Sequence, residues 1–272
     1  MGKKMKKNKA VKKSSIISCI ICILYLIICS SLTIKYNFEF IFIIFLINYL
    51  YSKLYSFDEI MISYQQIEVL IPLLSDLNIT KKLPNTRGYA ASPDYLYKIT
   101  DTIKKNNPNL ILEAGSGVST LIAAYTIKKY GGGKIISLDH DEMYAKKTKQ
   151  ELKKHNLEKY ADVIYAPLKE YNLDNNKNFK WYDTDKFNIN KKIDLFVIDG
   201  PPINTKNSKF PRYPALPLML DNIQSGSTII LDDARRKNEQ ETIKLWKKEY
   251  SFFEFDYIDD NDKGIAIIKR IK

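Results

Sequence analysis

Residues 109–120 read NLILEAGSGVST, which is an aliphatic run, a glycine-rich turn and the start of a second apolar segment. This order predicts a strand, a tight turn and a helix that begins near Ser119. Glycine lets the backbone turn sharply and approach a ligand, and a helix N-terminus offers unpaired N–H groups. The turn therefore either binds a ligand or only connects the strand to the helix.

The glycine pattern fits neither of two common phosphate-binding motifs. No Gly-Lys-Ser/Thr sequence follows the turn, so it is not a P-loop. A full dinucleotide fingerprint needs a third glycine, and that position is held here by Ser119 or Thr120. The identity of a ligand must therefore be sought in other segments.

A second predicted strand, residues 135–139, ends in Asp139, which lies 22 residues after Gly117. A carboxylate at this position can accept hydrogen bonds from both hydroxyls of a ribose that lies across the strand ends. The alternative is a solvated acid at the end of a strand. His140 and Asp141 either contact the ligand or cap the following helix, and capping is the preferred interpretation.

Short apolar runs alternate with amphipathic stretches in the rest of the chain, a pattern typical of parallel βαβ winding. Ser92 and Pro93 predict the cap and first residue of a helix before the first strand. Two final runs, 252–258 and 264–271, flank a polar turn and predict an antiparallel hairpin. The apolar runs are residues 110–113, 135–139, 163–166, 193–199 and 228–232.

Taken together, Glu113-Ala-Gly115-Ser-Gly117 and Asp139 resemble the S-adenosylmethionine site of class I methyltransferases. The resemblance covers residues 88–272, including the terminal hairpin, which ordinary dinucleotide-binding domains lack. It implies an α/β fold with a Rossmann-like, seven-stranded, mostly parallel, doubly wound sheet that ends in an antiparallel hairpin. The cofactor contacts it implies come from Glu113, Gly115, Ser116, Gly117, Ser119, Asp139, His140 and Asp199.

Within this class, four segments are most similar to bacterial methyltransferases found with surface-polysaccharide genes, and more distantly to sugar O-methyltransferases. This similarity implies an oxygen of a sugar or glycoconjugate as the methyl acceptor. The four segments are residues 166–168, 181–183, 197–202 and 231–235.

Three acids, Asp199, Asp232 and Asp233, follow the fourth and fifth strands of the predicted parallel sheet. Carboxylates that converge at one sheet edge repel one another unless a hard cation or a positive ligand compensates them. Related sugar and catechol O-methyltransferases hold Mg²⁺ at these strand ends, so the resemblance implies Mg²⁺ or another divalent cation here. Alternatively, Asp199 faces the sulfonium and the Asp pair binds Arg235, Arg236 or helix N–H groups.

The general base is not identified. The relatives place Lys, His or Asp shortly after the strand-four acid, where this chain has Pro201 and Pro202. Asp199 is the remaining catalytic candidate. In the following loop, Lys206, Arg212 and Tyr213 either line the acceptor pocket or lie on the surface.

The net charge of +12 is concentrated at the N-terminus, where residues 1–13 hold seven Lys and no acid, leaving +5 for the rest. Only five of the 43 basic residues are Arg. Because bases and phosphates are usually read by arginine, no nucleic-acid partner is expected. The apolar fraction of 45% and three Cys exclude a disordered chain and a disulfide scaffold.

An uncharged run, residues 15–34, follows the lysines and is long enough to cross a bilayer. A second run, 40–51, is short for a span. The sequence predicts a basic cytoplasmic tail (1–14), a membrane anchor of one transmembrane helix or a helical hairpin (15–54), a helical linker (55–87) and the methyltransferase domain (88–272). A cleaved signal peptide is the alternative for the first run.

The predicted function is a membrane-anchored, S-adenosylmethionine-dependent methyltransferase that acts on a small-molecule or glycan acceptor. A cytoplasmic catalytic domain is expected because the methyl donor is made there, and a hairpin anchor would place it there. The alternatives are an NAD(P)-dependent oxidoreductase, which also uses a glycine-rich turn and a strand-end acid, and a non-catalytic scaffold that retains the fold.

Overall fold

A computed structural model of the chain describes residues 23–24, 38–86, 90–173, 177–202, 210–258 and 263–272. The chain divides into two compact units, Met1–Glu68 and Val69–Lys272. The second unit begins before residue 88, where the sequence predicted the start of the domain. The reason is that Leu73 and Leu77 are buried in the same hydrophobic core as Ile99 and Leu121.

The helix α1 (Phe38–Asp76) contains the second apolar run, residues 40–51. Lys53 and Asp58 follow within the same helix, so the uncharged stretch is only about 18 Å long at ~1.5 Å per residue, against ~30 Å of hydrocarbon. In the described part of the chain, no helix is both long and apolar enough to cross a membrane. A second membrane crossing by residues 40–51 is therefore not supported, and the first run lies outside the described residues except for Ile23 and Leu24.

A seven-stranded sheet forms the centre of the second unit, with the strand order β3-β2-β1-β6-β7-β9-β8. The strands from β3 to β7 in this order are parallel, whereas β9 is antiparallel to both β7 and β8. The predicted doubly wound sheet and its terminal hairpin are confirmed. The strands are β1 (Leu110–Ala114), β2 (Lys134–Asp139), β3 (Ala161–Tyr165), β6 (Ile193–Ile198), β7 (Ile223–Leu231), β8 (Phe253–Ile258) and β9 (Ile265–Arg270).

Helices and a small hairpin cover the two faces of the sheet, so its central strands are buried on both sides. Successive side chains of a strand point to opposite faces, and accordingly Ile111 joins one core while Leu110 and Leu112 join the other. The helices of the second unit are α2 (Pro93–Asn106), α3 (Val118–Tyr130), α4 (Glu142–Lys154), α5 (Ala215–Met219) and α6 (Lys237–Glu249).

A separate two-stranded antiparallel sheet, formed by β4 (Leu168–Leu173) and β5 (Lys177–Tyr182), lies between β3 and β6 in the chain. The sequence analysis did not predict it, because polar residues interrupt the apolar ones in residues 168–173, which are half-buried or exposed in the fold. Its second strand ends in Trp181 and Tyr182, which are fully buried in the second core. The hairpin thereby brings Tyr182 to the carboxyl edge of the main sheet.

Candidate active site

A cavity of about 790 Å³ lies at the carboxyl ends of β1, β2 and β6. Ligands of open α/β sheets bind at this edge. Six of the eight predicted cofactor residues line the cavity, and two, Glu113 and Ser119, do not. The six are Gly115, Ser116, Gly117, Asp139, His140 and Asp199.

The turn after β1 requires glycine at position 115. Gly115 has a φ of 103°, and an added Cβ would lie 3.2 Å from the backbone nitrogen of Gly200. The Gly200 N–H in turn donates to the carbonyl oxygen of Ala114 at 2.7 Å. Because the backbone of the turn packs this closely against Gly200, the turn does not fill the cavity at the edge of the sheet.

Glu113 is fully buried beneath the turn and does not reach the cavity. Its Oε2 accepts hydrogen bonds from the hydroxyls of Thr120, at 2.5 Å, and Ser137. Thr120 also accepts from the Gly117 N–H at 3.0 Å. Burial raises the pKa of Glu113 to about 7. The structure thus places Glu113 where it fixes the shape of the turn.

Asp139 is held in place at the end of β2. Its Oδ2 accepts from the Ser116 hydroxyl at 2.5 Å, and its Oδ1 accepts from the Asp141 N–H at 3.0 Å. Asp141 caps α4 by accepting from the N–H groups of Met143 and Tyr144. Capping is thus observed for Asp141, and both His140 and Asp141 line the cavity.

The three predicted metal ligands do come together. One carboxylate oxygen from each of Asp199, Asp232 and Asp233 lies within 4.8 Å of the others. Asp199 lines the cavity and its side chain is 14% exposed, while Asp232 and Asp233 are buried. Burial raises the pKa of both Asp199 and Asp232.

Three basic side chains of the protein compensate these acids. Arg212 Nη2 lies 2.8 Å from Asp233 Oδ2 and 3.3 Å from Asp199 Oδ1. Arg236 Nη1 lies 2.7 Å from Asp233 Oδ2, and Lys263 Nζ lies 3.8 Å from Asp232 Oδ2. The ion pair with Arg236 is one of the contacts that the alternative interpretation of the acids allowed. Arg212 and Lys263 are partners that the sequence analysis did not predict.

Two of the three residues considered for the acceptor pocket, Arg212 and Tyr213, lie inside the domain and not at the cavity. Arg212 is buried with its side chain 2% exposed and lies behind Asp199. The Tyr213 hydroxyl donates to Glu249 Oε2 at 2.8 Å, and its ring is buried against Phe179. Neither residue lines the cavity, because ion pairs and apolar packing hold both inside the domain. Lys206 lies outside the described residues.

Tyr182 is a cavity residue that the sequence analysis missed. The residue lines the cavity and its side chain is fully buried. Within the described residues its buried hydroxyl has no hydrogen-bond partner. A Cβ added to Gly200 would clash with this hydroxyl. Only the pairing of β4 with β5 brings Tyr182 here, so no local sequence signal could have identified it.

Comparisons with known proteins agree with this geometry. A family model described as "Methyltransferase domain" matches residues 112–234, which include the turn, Asp139 and the acid cluster. A search of the curated proteins gives no match.

The fold is also similar to solved structures, at sequence identities that establish the fold alone. The SAH-bound Podospora anserina methyltransferase PaMTH1 has a TM-score of 0.52 and 14% identity, over 75% of this chain and 88% of that one. Cofactor-bound Rv0187 from MTB has a TM-score of 0.51 and 15% identity, over 75% and 89%. Precorrin-6y C5,15-methyltransferase from Geobacter metallireducens GS-15 has a TM-score of 0.50 and 12% identity, over 70% and 94%.

Proposed function

We propose that this chain is a class I S-adenosylmethionine-dependent methyltransferase and that it transfers the methyl group of that cofactor to an oxygen of a sugar or other small-molecule acceptor. The match of residues 112–234 to a methyltransferase domain supports the proposed class. The observation that carries the proposal is the cavity at the strand ends, where the glycine turn, Asp139 and Asp199 meet. The choice of oxygen, and of a sugar, rests on the resemblance of four sequence segments to bacterial methyltransferases found with surface-polysaccharide genes and, more distantly, to sugar O-methyltransferases.

In the proposed complex, Asp139 accepts hydrogen bonds from the ribose hydroxyls. The turn at Gly115 to Gly117 lies against the rest of the cofactor, because it has no side chains large enough to fill that space. When bound, S-adenosylmethionine supplies a methyl group on a positively charged sulfur. Asp199 is the acid of the cluster that reaches the cavity, so it is the group that faces this positive charge.

The acceptor must be aligned with the methyl group and must lose a proton. Bound S-adenosylmethionine would give its methyl group to the acceptor oxygen and leave as S-adenosylhomocysteine. We assign to the Asp199 carboxylate the proton that the acceptor oxygen would lose. Asp199 is suited to this role because it borders the cavity while its main-chain and side-chain oxygens are held by Arg212.

Transfer of a labelled methyl group from S-adenosylmethionine tests this function. The full chain would be incubated with fractionated polysaccharide, lipid and protein, and we expect label in a glycan-containing fraction. Asp199→Asn should abolish transfer, while Asp162→Asn should retain it, because Asp162 is an exposed acid on β3, three strands away from β6 in the sheet. Label in protein alone would overturn the proposed acceptor, and no transfer to any fraction would favour a non-catalytic scaffold.

We also propose that residues 1–34 attach the protein to a membrane, with the domain on the cytoplasmic side where the methyl donor is made. A single crossing that starts from cytoplasmic lysines would place the domain outside, so the proposal requires residues 1–34 to enter and leave the bilayer on the cytoplasmic side. The support is the lysine cluster followed by the uncharged run of residues 15–34. The full chain should sediment with membranes after a carbonate wash, and a chain without residues 1–34 should not. Equal behaviour of the two chains would overturn the attachment, and an external signal from a reporter fused at Phe57 would overturn the cytoplasmic location.

A further inference from the structure

The acid cluster behind the cavity contains its own cations. Four carboxyl groups lie there, those of Asp199, Asp232, Asp233 and Glu239, together with the basic groups of Arg212, Arg236 and Lys263. Arg212 is the most buried of the three basic residues and contacts the largest number of acids. The question is whether a divalent cation can share this site.

Arg212 binds both strand ends that carry the acids. Its Nη2 donates to the carbonyl oxygen of Asp199 at 2.7 Å and to the Asp233 carboxylate at 2.8 Å. Its Nη1 donates to the carbonyl oxygen of Asp232 at 2.5 Å, and its Nε lies 3.8 Å from Glu239 Oε1. The planar guanidinium therefore joins the end of β6 to the end of β7.

A divalent cation does not fit this arrangement. Carboxylate oxygens are suitable ligands, but Mg²⁺ requires them at ~2.0–2.1 Å in near-octahedral geometry, and Ca²⁺ requires six to eight oxygens at ~2.3–2.6 Å. Nη2 of Arg212 already contacts carboxylate oxygens of both Asp199 and Asp233. A metal ion bound to the same carboxylates would lie against a fixed, permanently charged guanidinium, and the two would repel.

We infer that Arg212 is the resident counter-cation of this cluster, that Asp199, Asp232 and Asp233 bind no divalent cation, and that Arg212 positions Asp199 toward the cavity. The metal implied by the resemblance to sugar and catechol O-methyltransferases is thus replaced by a side chain. Lys263 is the ion-pair partner of Asp232, whose carboxylate oxygens accept no hydrogen bond from the described residues. Arg236 is the ion-pair partner at the exposed side of Asp233.

The first experiment titrates MnCl₂ into the metal-stripped full chain and follows binding by calorimetry and by the paramagnetic resonance of free Mn²⁺. We expect no saturable binding by the wild-type chain. Stoichiometric binding that Asp232→Asn removes would overturn the inference. This titration does not depend on methyl transfer, so it can be distinguished from a failure of the proposed function.

The second experiment changes Arg212. Arg212→Met leaves the carboxylates without their central cation, so this variant should gain Mn²⁺ binding, and Arg212→Met with Asp232→Asn should lose it again. Arg212→Lys keeps the charge and should bind no Mn²⁺, as should Arg236→Gln, which removes a cation from the exposed side. A folded Arg212→Met variant that binds no Mn²⁺ would overturn the role of Arg212, and if that variant does not fold, the wild-type titration decides.

Discussion

Glu113 lies beneath the glycine turn, and its ionisation should make the stability of the protein depend on pH. Its carboxyl has a pKa raised to about 7 by burial, against 4.5 as its ordinary value. The folded state therefore favours the protonated form, so Glu113 contributes most stability below about pH 4.5 and loses it as the pH rises toward 7. Integrated over that interval, the loss approaches roughly 3 kcal/mol as an upper limit.

Glu113→Gln should remove this pH dependence. Gln keeps an oxygen to accept from Thr120 and Ser137, and its amide replaces Oε1, which has no partner among the described residues. Denaturant unfolding at pH 5 and pH 8 should show that the wild-type chain loses more stability than the variant. If both proteins lost the same stability between pH 5 and pH 8, the buried carboxyl of Glu113 would not be the cause of the pH dependence.

Gly115 is a second residue of the turn where a single added Cβ atom should change stability and ligand binding. Gly115→Ala meets both the unfavourable φ of 103° and the backbone of Gly200, so we expect at least ~1 kcal/mol lower stability and about tenfold weaker S-adenosylhomocysteine binding.

The matched control is Gly226→Ala, which has a φ of 85° and no atom closer to the added Cβ than Lys192 Nζ at 4.0 Å. This variant should lose stability and keep its affinity for the ligand. The same affinity loss in both variants, measured by calorimetry, would show that the effect is not local to the turn.

At the scale of elements, the β4–β5 hairpin delivers Tyr182 to the cavity. The Tyr182 hydroxyl is buried without a partner among the described residues, so removing it should not destabilise the ligand-free protein. Tyr182→Phe should leave thermal unfolding unchanged or slightly raised, while weakening S-adenosylhomocysteine binding by ~1 kcal/mol, about fivefold. Unchanged affinity and unchanged methyl transfer would show that the hydroxyl contacts neither ligand.

The elements also show what the sequence could predict. Residues 110–114 and 134–139 are strands because short aliphatic runs end at glycine or an acid, and the terminal hairpin follows from two apolar runs around a polar turn. The β4–β5 hairpin lacks such a pattern, since polar residues interrupt the apolar ones along both of its strands. The contacts of Arg212 with Asp199 and Asp233 bridge distant parts of the chain, so they depend on the assembled fold.

At the scale of the whole molecule, basic and acidic residues are concentrated in different parts of the chain. The net charge of +12 is concentrated in the N-terminal tail, whereas the edge of the sheet that holds the cavity carries Asp139, Asp199, Asp232 and Asp233. A positively charged sulfonium is favoured at such an edge, and the buried cations behind it keep the acids from repelling one another. The charge distribution therefore agrees with the proposed binding of S-adenosylmethionine at this edge.

Calorimetric titration of the full chain with S-adenosylhomocysteine, and separately with NAD, tests the central claim most directly. We expect saturable binding of S-adenosylhomocysteine at one site, loss of that binding in Asp139→Ala, its retention in Asp162→Asn, and no heat from NAD. Binding of NAD without binding of S-adenosylhomocysteine, or affinity unchanged by Asp139→Ala, would contradict the account.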